Sequence, residues 1–213
     1  MNGIKFCDTR AGLDSINAPD TELVIWQRSL AAGLQDWIDR TDAISLPDVR
    51  ILIKPDEIRP ALDRVLDDCG LRAGDMRDLL VADVTDLVIA FADITISDYV
   101  DVRLERVIHD ACWKFHRDAV DTRLVTTYRG PTTEWVRHSH SQQAIDEQRE
   151  FGGPLERLGG GDVAIFKGNR TGSHKGIVHR SPPIAGTGLT RLVLCLNQRT
   201  GTSPDPWAEA LMQ

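Results

Sequence analysis

The sequence predicts an α+β fold in which an antiparallel β-barrel or jelly roll follows a helical layer. Before about residue 95 the apolar residues recur every three or four positions, which is the period of amphipathic helices. After it they alternate with polar residues, which is the period of strands, and Gly- and Pro-rich turns separate the segments as in all-β barrels. We therefore expect a helical segment, residues 1–94, packed on a β-domain, residues 95–213, as one structural unit.

The composition is that of a globular protein. The 213 residues are 41% hydrophobic and 27% charged, and a chain of this length buries a core without disulfides or a structural metal. A formal net charge of −7 at pH 7 argues against bulk nucleic-acid binding, which needs a basic surface. Because five Lys and Arg residues fall within 114–137, a small anionic substrate or partner stays open.

Cysteine usage and the amino terminus predict the compartment. The four cysteines form no CxxC pair, which indicates reduced thiols rather than a zinc knuckle or a dithiol motif. The first residues lack the basic and apolar regions of a secretory signal, and no segment reaches the roughly 20 apolar residues of a membrane span. We expect a soluble, cytoplasmic protein with no membrane partner, and homo-oligomerisation through the helices stays open.

Three helices are predicted before residue 95. An apolar stripe over 21–39 predicts the first, and a similar stripe over 55–69, with Gly70 just past its end, predicts the second. The third runs over 75–92 and is apolar on more than one face, so we expect other elements to pack on both its sides. A short strand over 49–53 interrupts these helices.

Seven short strands are predicted after residue 95. They cover residues 99–107, 112–116, 122–128, 133–136, 162–166, 176–179 and 190–196. Residues 137–158 are a polar insertion, predicted as a loop or short helix at the barrel mouth. Its His138 and His140 suggest a second metal site or a substrate lid, but a solvated loop explains them better.

The candidate site begins with His116 and Asp118. Residues two apart on a strand point to the same face, so this imidazole and carboxylate could converge on one metal ion, although a surface pair at a strand end is the simpler explanation. His179 ends a later strand, and Arg191 opens the next one. Two histidines and a carboxylate bind Fe(II) and leave open positions, and an arginine fork suits the far carboxylate of a bidentate ligand.

This order of elements resembles the Fe(II)/2-oxoglutarate-dependent dioxygenases. The H-x-D motif at 116–118, the Gly-Asp turn into an apolar strand at 161–166, His179 and Arg191 carry the resemblance, which covers residues 99–197. It implies a double-stranded β-helix, the jelly-roll or cupin-like barrel, and an oxidoreductase that hydroxylates an unidentified substrate.

The resemblance also implies roles for individual residues. His116, Asp118 and His179 would be the catalytic metal centre that holds Fe(II). Arg191 would bind the C5 carboxylate of the cosubstrate 2-oxoglutarate, and Tyr128 would donate a further hydrogen bond to it, although a core tyrosine is equally open. His174, in the preceding turn, competes with His179 as the distal ligand.

Three shorter segments are similar to a bacterial family of conserved proteins of unknown function. They are F-H-R-D at 115–118, T-Y-R-G-P-T-T-E-W at 127–135 and H-R-S-P-P at 179–183. Members of that family are associated with zinc-responsive genes, which leaves a second function open: a non-catalytic protein of metal homeostasis that holds Zn(II) with the same His/Asp/His site. A third is a β-barrel binding module in which the triad is fortuitous.

Overall fold

The computed structural model describes residues 3–170 and 175–207. The strands are β1 (Ile4–Cys7), β2 (Leu23–Trp26), β3 (Val49–Ile53), β4 (Val100–Val107), β5 (Thr122–Arg129), β6 (Glu134–Val136), β7 (Glu156–Arg157), β8 (Val163–Lys167), β9 (Val178–Arg180) and β10 (Arg191–Gln198). The α-helices are α1 (Leu34–Arg40), α2 (Ile58–Asp68), α3 (Asp75–Thr95) and α4 (Ser141–Glu147).

Within the described residues these strands form two sheets. The large sheet has seven strands in the order β1-β2-β8-β5-β10-β4-β3, all antiparallel except β1 with β2. The small sheet has the order β7-β6-β9 and lies against one face of the large sheet, while α1, α2 and α3 pack on the other face. The mixed α+β class is therefore confirmed.

Strand β10 lies in the interior of the large sheet, and its side chains point alternately to the two faces. Leu192, Leu194 and Leu196 join the core beneath the helices, whereas Val193 joins the core between the two sheets. Because successive strand residues point to opposite faces, Arg191 lies on the same side as Val193. The space between the sheets is thus where charged residues of β10 can meet those of the small sheet.

The second and third predicted helices are confirmed. Helix α2 ends where Gly70 adopts a φ of +75°, a left-handed conformation that glycine takes without strain, and Leu71 donates its backbone N–H to the carbonyl of Leu66 at 2.9 Å. Helix α3 buries residues on several sides, as expected for a helix packed between other elements. It is long, but no helix in the described ranges is long and apolar enough to cross a membrane.

The prediction of one helix over 21–39 is wrong at its start. Residues Leu23–Trp26 form β2, which pairs with β1 and β8, and only Leu34–Arg40 is helical. The run L-V-I-W suits a strand buried on both faces, and its long-range pairing outweighs a helical spacing. Since β1, β2 and β3 all come from residues 1–94, that segment is not only a helical layer but supplies both edges of the large sheet.

Two predictions for the later segment also need correction. Residues 112–116 form no strand, because Cys112 adopts a left-handed φ of +54°, and only His116 makes an isolated bridge to His179. The insertion at 137–158 contains α4, the predicted short helix, and also β7. Within the described ranges, strand pairing does not join the two sheets into the closed barrel that the double-stranded β-helix prediction implies.

Candidate metal centre

His116, Asp118 and His179 meet between the two sheets. Each offers one ligand-type atom, and these atoms all lie within 4.8 Å of one another. Nε2 of His116 is 3.6 Å from Oδ1 of Asp118, and Nε2 of His179 is 3.4 Å from Oδ2. A single metal ion could therefore contact all three side chains that the sequence selected.

A backbone bridge brings the two imidazoles together. The N–H of His116 donates to the carbonyl of His179, and the N–H of His179 donates back, both at 3.1 Å. Directly opposed residues of an antiparallel pair place their side chains on the same face, and the two ring centroids are 4.6 Å apart. The ring of Phe166 packs against His179 at 4.7 Å, which limits the rotation of that imidazole.

Both imidazoles are oriented through their second nitrogen. Nδ1 of His116 lies 2.8 Å from the carbonyl of Lys114, and Nδ1 of His179 lies 3.0 Å from that of Ile177. A neutral imidazole that donates Nδ1–H to a carbonyl keeps its lone pair on Nε2. This is the arrangement that orients histidine ligands in metal sites, and here both Nε2 atoms face Asp118.

The protonation states suit a cation site. Burial lowers the pKa of His179 to about 4, so this imidazole is neutral at pH 7, whereas the adjacent Asp118 raises the pKa of His116. Burial disfavours the ionised form of Asp118, but neighbouring His116 and the Arg123 guanidinium outweigh it and lower the pKa of the carboxyl. The carboxylate is ionised, and its buried Oδ2 has no hydrogen-bond partner.

Arg123 holds the other oxygen of this carboxylate and is itself held by Asn197. Nη1 of Arg123 donates to Oδ1 of Asp118 at 2.5 Å, and Nε donates to Oδ1 of Asn197 at 2.7 Å. Arg123 and Asn197 are paired neighbours on β5 and β10, so the sheet itself fixes this contact. The sequence had given neither residue a role. Strand parity places Arg123 and Tyr128 on opposite faces of one strand, and this signal could have identified Arg123 as a candidate.

Arg191 lines the same cavity as His116 and His179. Its side chain is among the largest that are fully buried, and burial lowers its pKa to about 10. Nε donates to the carbonyl of Pro131 at 2.7 Å, but Nη2 has no hydrogen-bond partner. A buried guanidinium donor without an acceptor is costly, which makes Nη2 of Arg191 a candidate contact for an anionic group.

Tyr128 does not lie in this cavity. It is fully buried on the helix side of β5, where its hydroxyl donates to Oδ2 of Asp83 at 2.6 Å. Asp83 is held in turn by two hydrogen bonds from Arg28, at 2.5 and 2.9 Å. This position does not agree with the expected role of Tyr128 as a hydrogen-bond donor to the cosubstrate. It agrees with the alternative that the sequence left open, a tyrosine in the core.

Replacing Tyr128 with phenylalanine should therefore affect stability and not metal binding. The change removes one hydrogen bond to a charged group, so we expect the free energy of unfolding to fall by about 1–3 kcal/mol. Urea denaturation measures the stability, and titration with Zn(II) measures the metal affinity. If the variant is fully folded but binds metal more weakly, Tyr128 and the metal centre do not lie on separate faces of the large sheet.

Among the described residues, His138 and His140 do not join the cluster. His138 contacts Glu22, and His138 and His140 lie in a 3-10 helix that precedes α4. Within residues 3–170 and 175–207, the His116, Asp118 and His179 group is the one set of three or more such side chains close enough to hold an ion. His174, the competing distal ligand, lies outside the described residues.

Comparisons with known proteins give a family and distant structural likenesses. A family model described as a protein of unknown function, DUF1826, matches residues 7–197, and no curated protein matches. A prolyl-4-hydroxylase from Pseudomonas putida aligns at 13% identity and a TM-score of 0.44, covering 90% of this chain and 99% of its own. AviO1 from Streptomyces viridochromogenes aligns at 18% identity and a TM-score of 0.32, covering 84% of this chain and 100% of its own. A C-terminally truncated Neurospora crassa protein in apo form aligns at 12% identity and a TM-score of 0.35, covering 68% and 49%.

Proposed function

We propose that this chain, which belongs to the DUF1826 family of proteins of unknown function, is an Fe(II)/2-oxoglutarate-dependent oxygenase that hydroxylates a small substrate. One observation carries the proposal. Two oriented imidazoles share a cavity with a buried arginine whose Nη2 lacks an acceptor, and an ionised carboxylate lies within 4.8 Å of both imidazoles. The imidazoles and the carboxylate suit a metal ion, and the arginine suits the anionic end of a ligand bound to that ion.

The three proposed ligands fit a divalent ion by their chemistry. His116 and His179 would each provide Nε2, and Asp118 would provide Oδ2, the buried oxygen that has no hydrogen-bond partner. Two histidines and one carboxylate leave about three positions of an octahedral ion open. That number accommodates a bidentate cosubstrate together with dioxygen.

Arg191 would bind the far carboxylate of 2-oxoglutarate. At a pKa of about 10 its guanidinium is charged at pH 7, and the carbonyl of Pro131 fixes its Nε, so that Nη2 stays available. Val125, Phe166 and Val193 give the same cavity an apolar part of its lining, and a lower local dielectric strengthens such an interaction. When bound, Fe(II) and 2-oxoglutarate supply the oxidation, in which dioxygen and a substrate C–H bond give an alcohol while 2-oxoglutarate gives succinate and CO₂.

Anaerobic loading with Fe(II), followed by titration with 2-oxoglutarate and with glutarate, tests this assignment. We expect one equivalent of Fe(II) per chain and binding of 2-oxoglutarate that is at least about tenfold tighter than binding of glutarate, which lacks the keto oxygen for the metal. Equal affinities for both diacids would mean that Arg191 binds carboxylates without a metal chelate, and would contradict the proposal.

A second function, non-catalytic zinc binding in metal homeostasis, uses the same three ligands. It is favoured by the donor set itself, because most nitrogen and oxygen sites bind Zn(II) more tightly than Fe(II). The zinc-binding function, however, gives no role to the unpaired Nη2 of Arg191. This function therefore predicts stoichiometric Zn(II) and no binding of 2-oxoglutarate, so the same titration separates the two.

Replacing Arg123 with methionine should weaken metal binding without removing a ligand. Arg123 donates to Oδ1 of Asp118, which leaves Oδ2 directed towards the imidazole of His179. Loss of such an outer partner typically costs about 10–100-fold in metal affinity. Competition with a chromophoric chelator measures the change. The matched control is Arg106→Met on β4, whose guanidinium donates to the carbonyls of Ala43 and Ile44, and unchanged affinity in the Arg123 variant would refute this role.

A further inference from the structure

The cavity contains a second pair of charged side chains that the metal centre does not use. Arg103 and Glu105 both lie on β4, two residues apart, so they point to the same face of the large sheet. Both line the cavity that also contains His116, His179 and Arg191. The two charges are opposite in sign and separated by about 7 Å along the strand.

Arg103 lacks a close partner. The nearest carboxylate, that of Asp101, already accepts two hydrogen bonds from Arg50, at 3.0 and 2.7 Å, and one from Ser203, at 2.8 Å. Nε of Arg103 stays 3.9 Å from Asp101 Oδ1, too far for a hydrogen bond, and is buried without any acceptor. Arg103 therefore has no hydrogen-bonded acceptor for Nε among the described residues, and its side chain lines the cavity where an anionic group could approach it.

The other arginines of the cavity are already assigned. Arg123 is paired with Asp118, and Arg180 donates to Oε2 of Glu134 at 2.7 Å. Since Arg191 is assigned to the carboxylate of the cosubstrate, Arg103 is the remaining arginine of the cavity that could bind a second anionic group.

Glu105 limits what that second ligand can be. Its carboxylate makes no hydrogen bond or ion pair with any residue that the structure describes, and it faces the same space as Arg103. A carboxylate at this position repels a polyanion, and Arg103 repels a simple cation. A ligand that satisfies both side chains carries one negative and one positive group a short distance apart.

We propose that the substrate is a free α-amino acid, whose carboxylate Arg103 binds and whose ammonium Glu105 binds. This inference rests on the proposed oxygenase function, because it assigns the substrate of that site. Arg103 suits the planar carboxylate through its guanidinium fork, and Glu105 suits the compact ammonium as an acceptor. His116 and His179, which would hold the metal ion, line the same cavity as these two contacts, so the oxidation that the ion would supply could reach the bound amino acid.

Calorimetric titration of the Zn(II)-loaded protein, saturated with 2-oxoglutarate, with each of the twenty proteinogenic L-amino acids tests the inference. We expect at least one to bind. For the tightest, the matching carboxylic acid without the amine and the matching amine without the carboxyl should each bind at least about tenfold more weakly, because each loses one charge-assisted contact.

Three variants assign the contacts. In Glu105→Gln the preference for the amino acid over its amine-free acid should fall from about tenfold or more to less than about threefold, while the affinity for the acid should not fall, because the repulsion by Glu105 is removed. In Arg103→Met both should weaken by about tenfold or more, and Arg103→Lys should restore part of that loss. Circular dichroism checks that each variant is folded.

The outcomes separate this inference from the proposed function. If 2-oxoglutarate binds but no amino acid does, or if the amine-free acid binds as tightly as the amino acid, the substrate assignment is wrong and the oxygenase assignment stands. If 2-oxoglutarate itself does not bind to the metal-loaded protein, the proposed function is wrong and the substrate assignment falls with it.

Discussion

Replacing Asp118 with alanine is expected to abolish metal binding at the centre between the two sheets. Asp118 is the one anionic member of the cluster, and its unpaired Oδ2 lies 3.4 Å from Nε2 of His179. Changes in outer partners alone cost about 10–100-fold in metal affinity, so the loss of a direct ligand should exceed 100-fold. Production of succinate from 2-oxoglutarate should stop with it.

The alanine variant also leaves Arg123 without its carboxylate, so a second variant separates folding from binding. In Asp118→Asn the side-chain oxygen can still accept the hydrogen bond from Arg123, which preserves the local packing. Chelator competition and metal analysis measure binding, with Asp146→Asn on the exposed face of α4 as the matched control. A full equivalent of tightly bound metal in Asp118→Asn would locate the ion elsewhere.

Replacing Arg191 with methionine should leave metal binding intact and abolish tight binding of 2-oxoglutarate, in contrast to the loss of the metal in Asp118→Ala. The guanidinium is buried and only its Nε is hydrogen-bonded, so an unbranched apolar side chain removes an unfavourable charge as well as one contact to Pro131. We therefore expect little change in stability. The affinity for 2-oxoglutarate should fall by about 100-fold or more, because a charge-assisted carboxylate contact to a buried arginine is removed.

Calorimetric titration of the Zn(II)-loaded variant with 2-oxoglutarate measures this effect without turnover. Arg106→Met serves again as a control, since it removes an arginine from the same sheet outside the cavity. Unchanged 2-oxoglutarate affinity in Arg191→Met would make this arginine a structural residue of β10 and would favour the zinc-binding function.

The members of the metal cluster could be selected from the sequence because the order of the H-x-D motif, His179 and Arg191 along the chain resembles that of the Fe(II)/2-oxoglutarate-dependent dioxygenases. The H-x-D spacing alone is too common to select them. The reason for their convergence differs from the predicted one, since 112–116 is not a strand and a single bridge to His179 positions His116. One pair of opposed residues is sufficient to align two imidazoles.

Features that depend on long-range pairing were beyond the sequence. The run Leu23–Trp26 fits a helical stripe and a buried strand equally well, and only its pairing with β1 and β8 decides between them. The same applies to the contact between Arg123 and Asn197, which are distant in the chain. Tyr128 and Arg123 lie on one strand, and only the location of the cavity shows which of their two faces lines it.

The most direct test of the account is an anaerobic titration of the Fe(II)-loaded protein with 2-oxoglutarate, followed by visible absorption. Chelation of the cosubstrate by an Fe(II) ion held by His116, Asp118 and His179 should produce a weak charge-transfer band that saturates at one equivalent. The band should be absent from Asp118→Ala and should need far more 2-oxoglutarate in Arg191→Met. A metal-replete protein that develops no band at any concentration would contradict the oxygenase assignment.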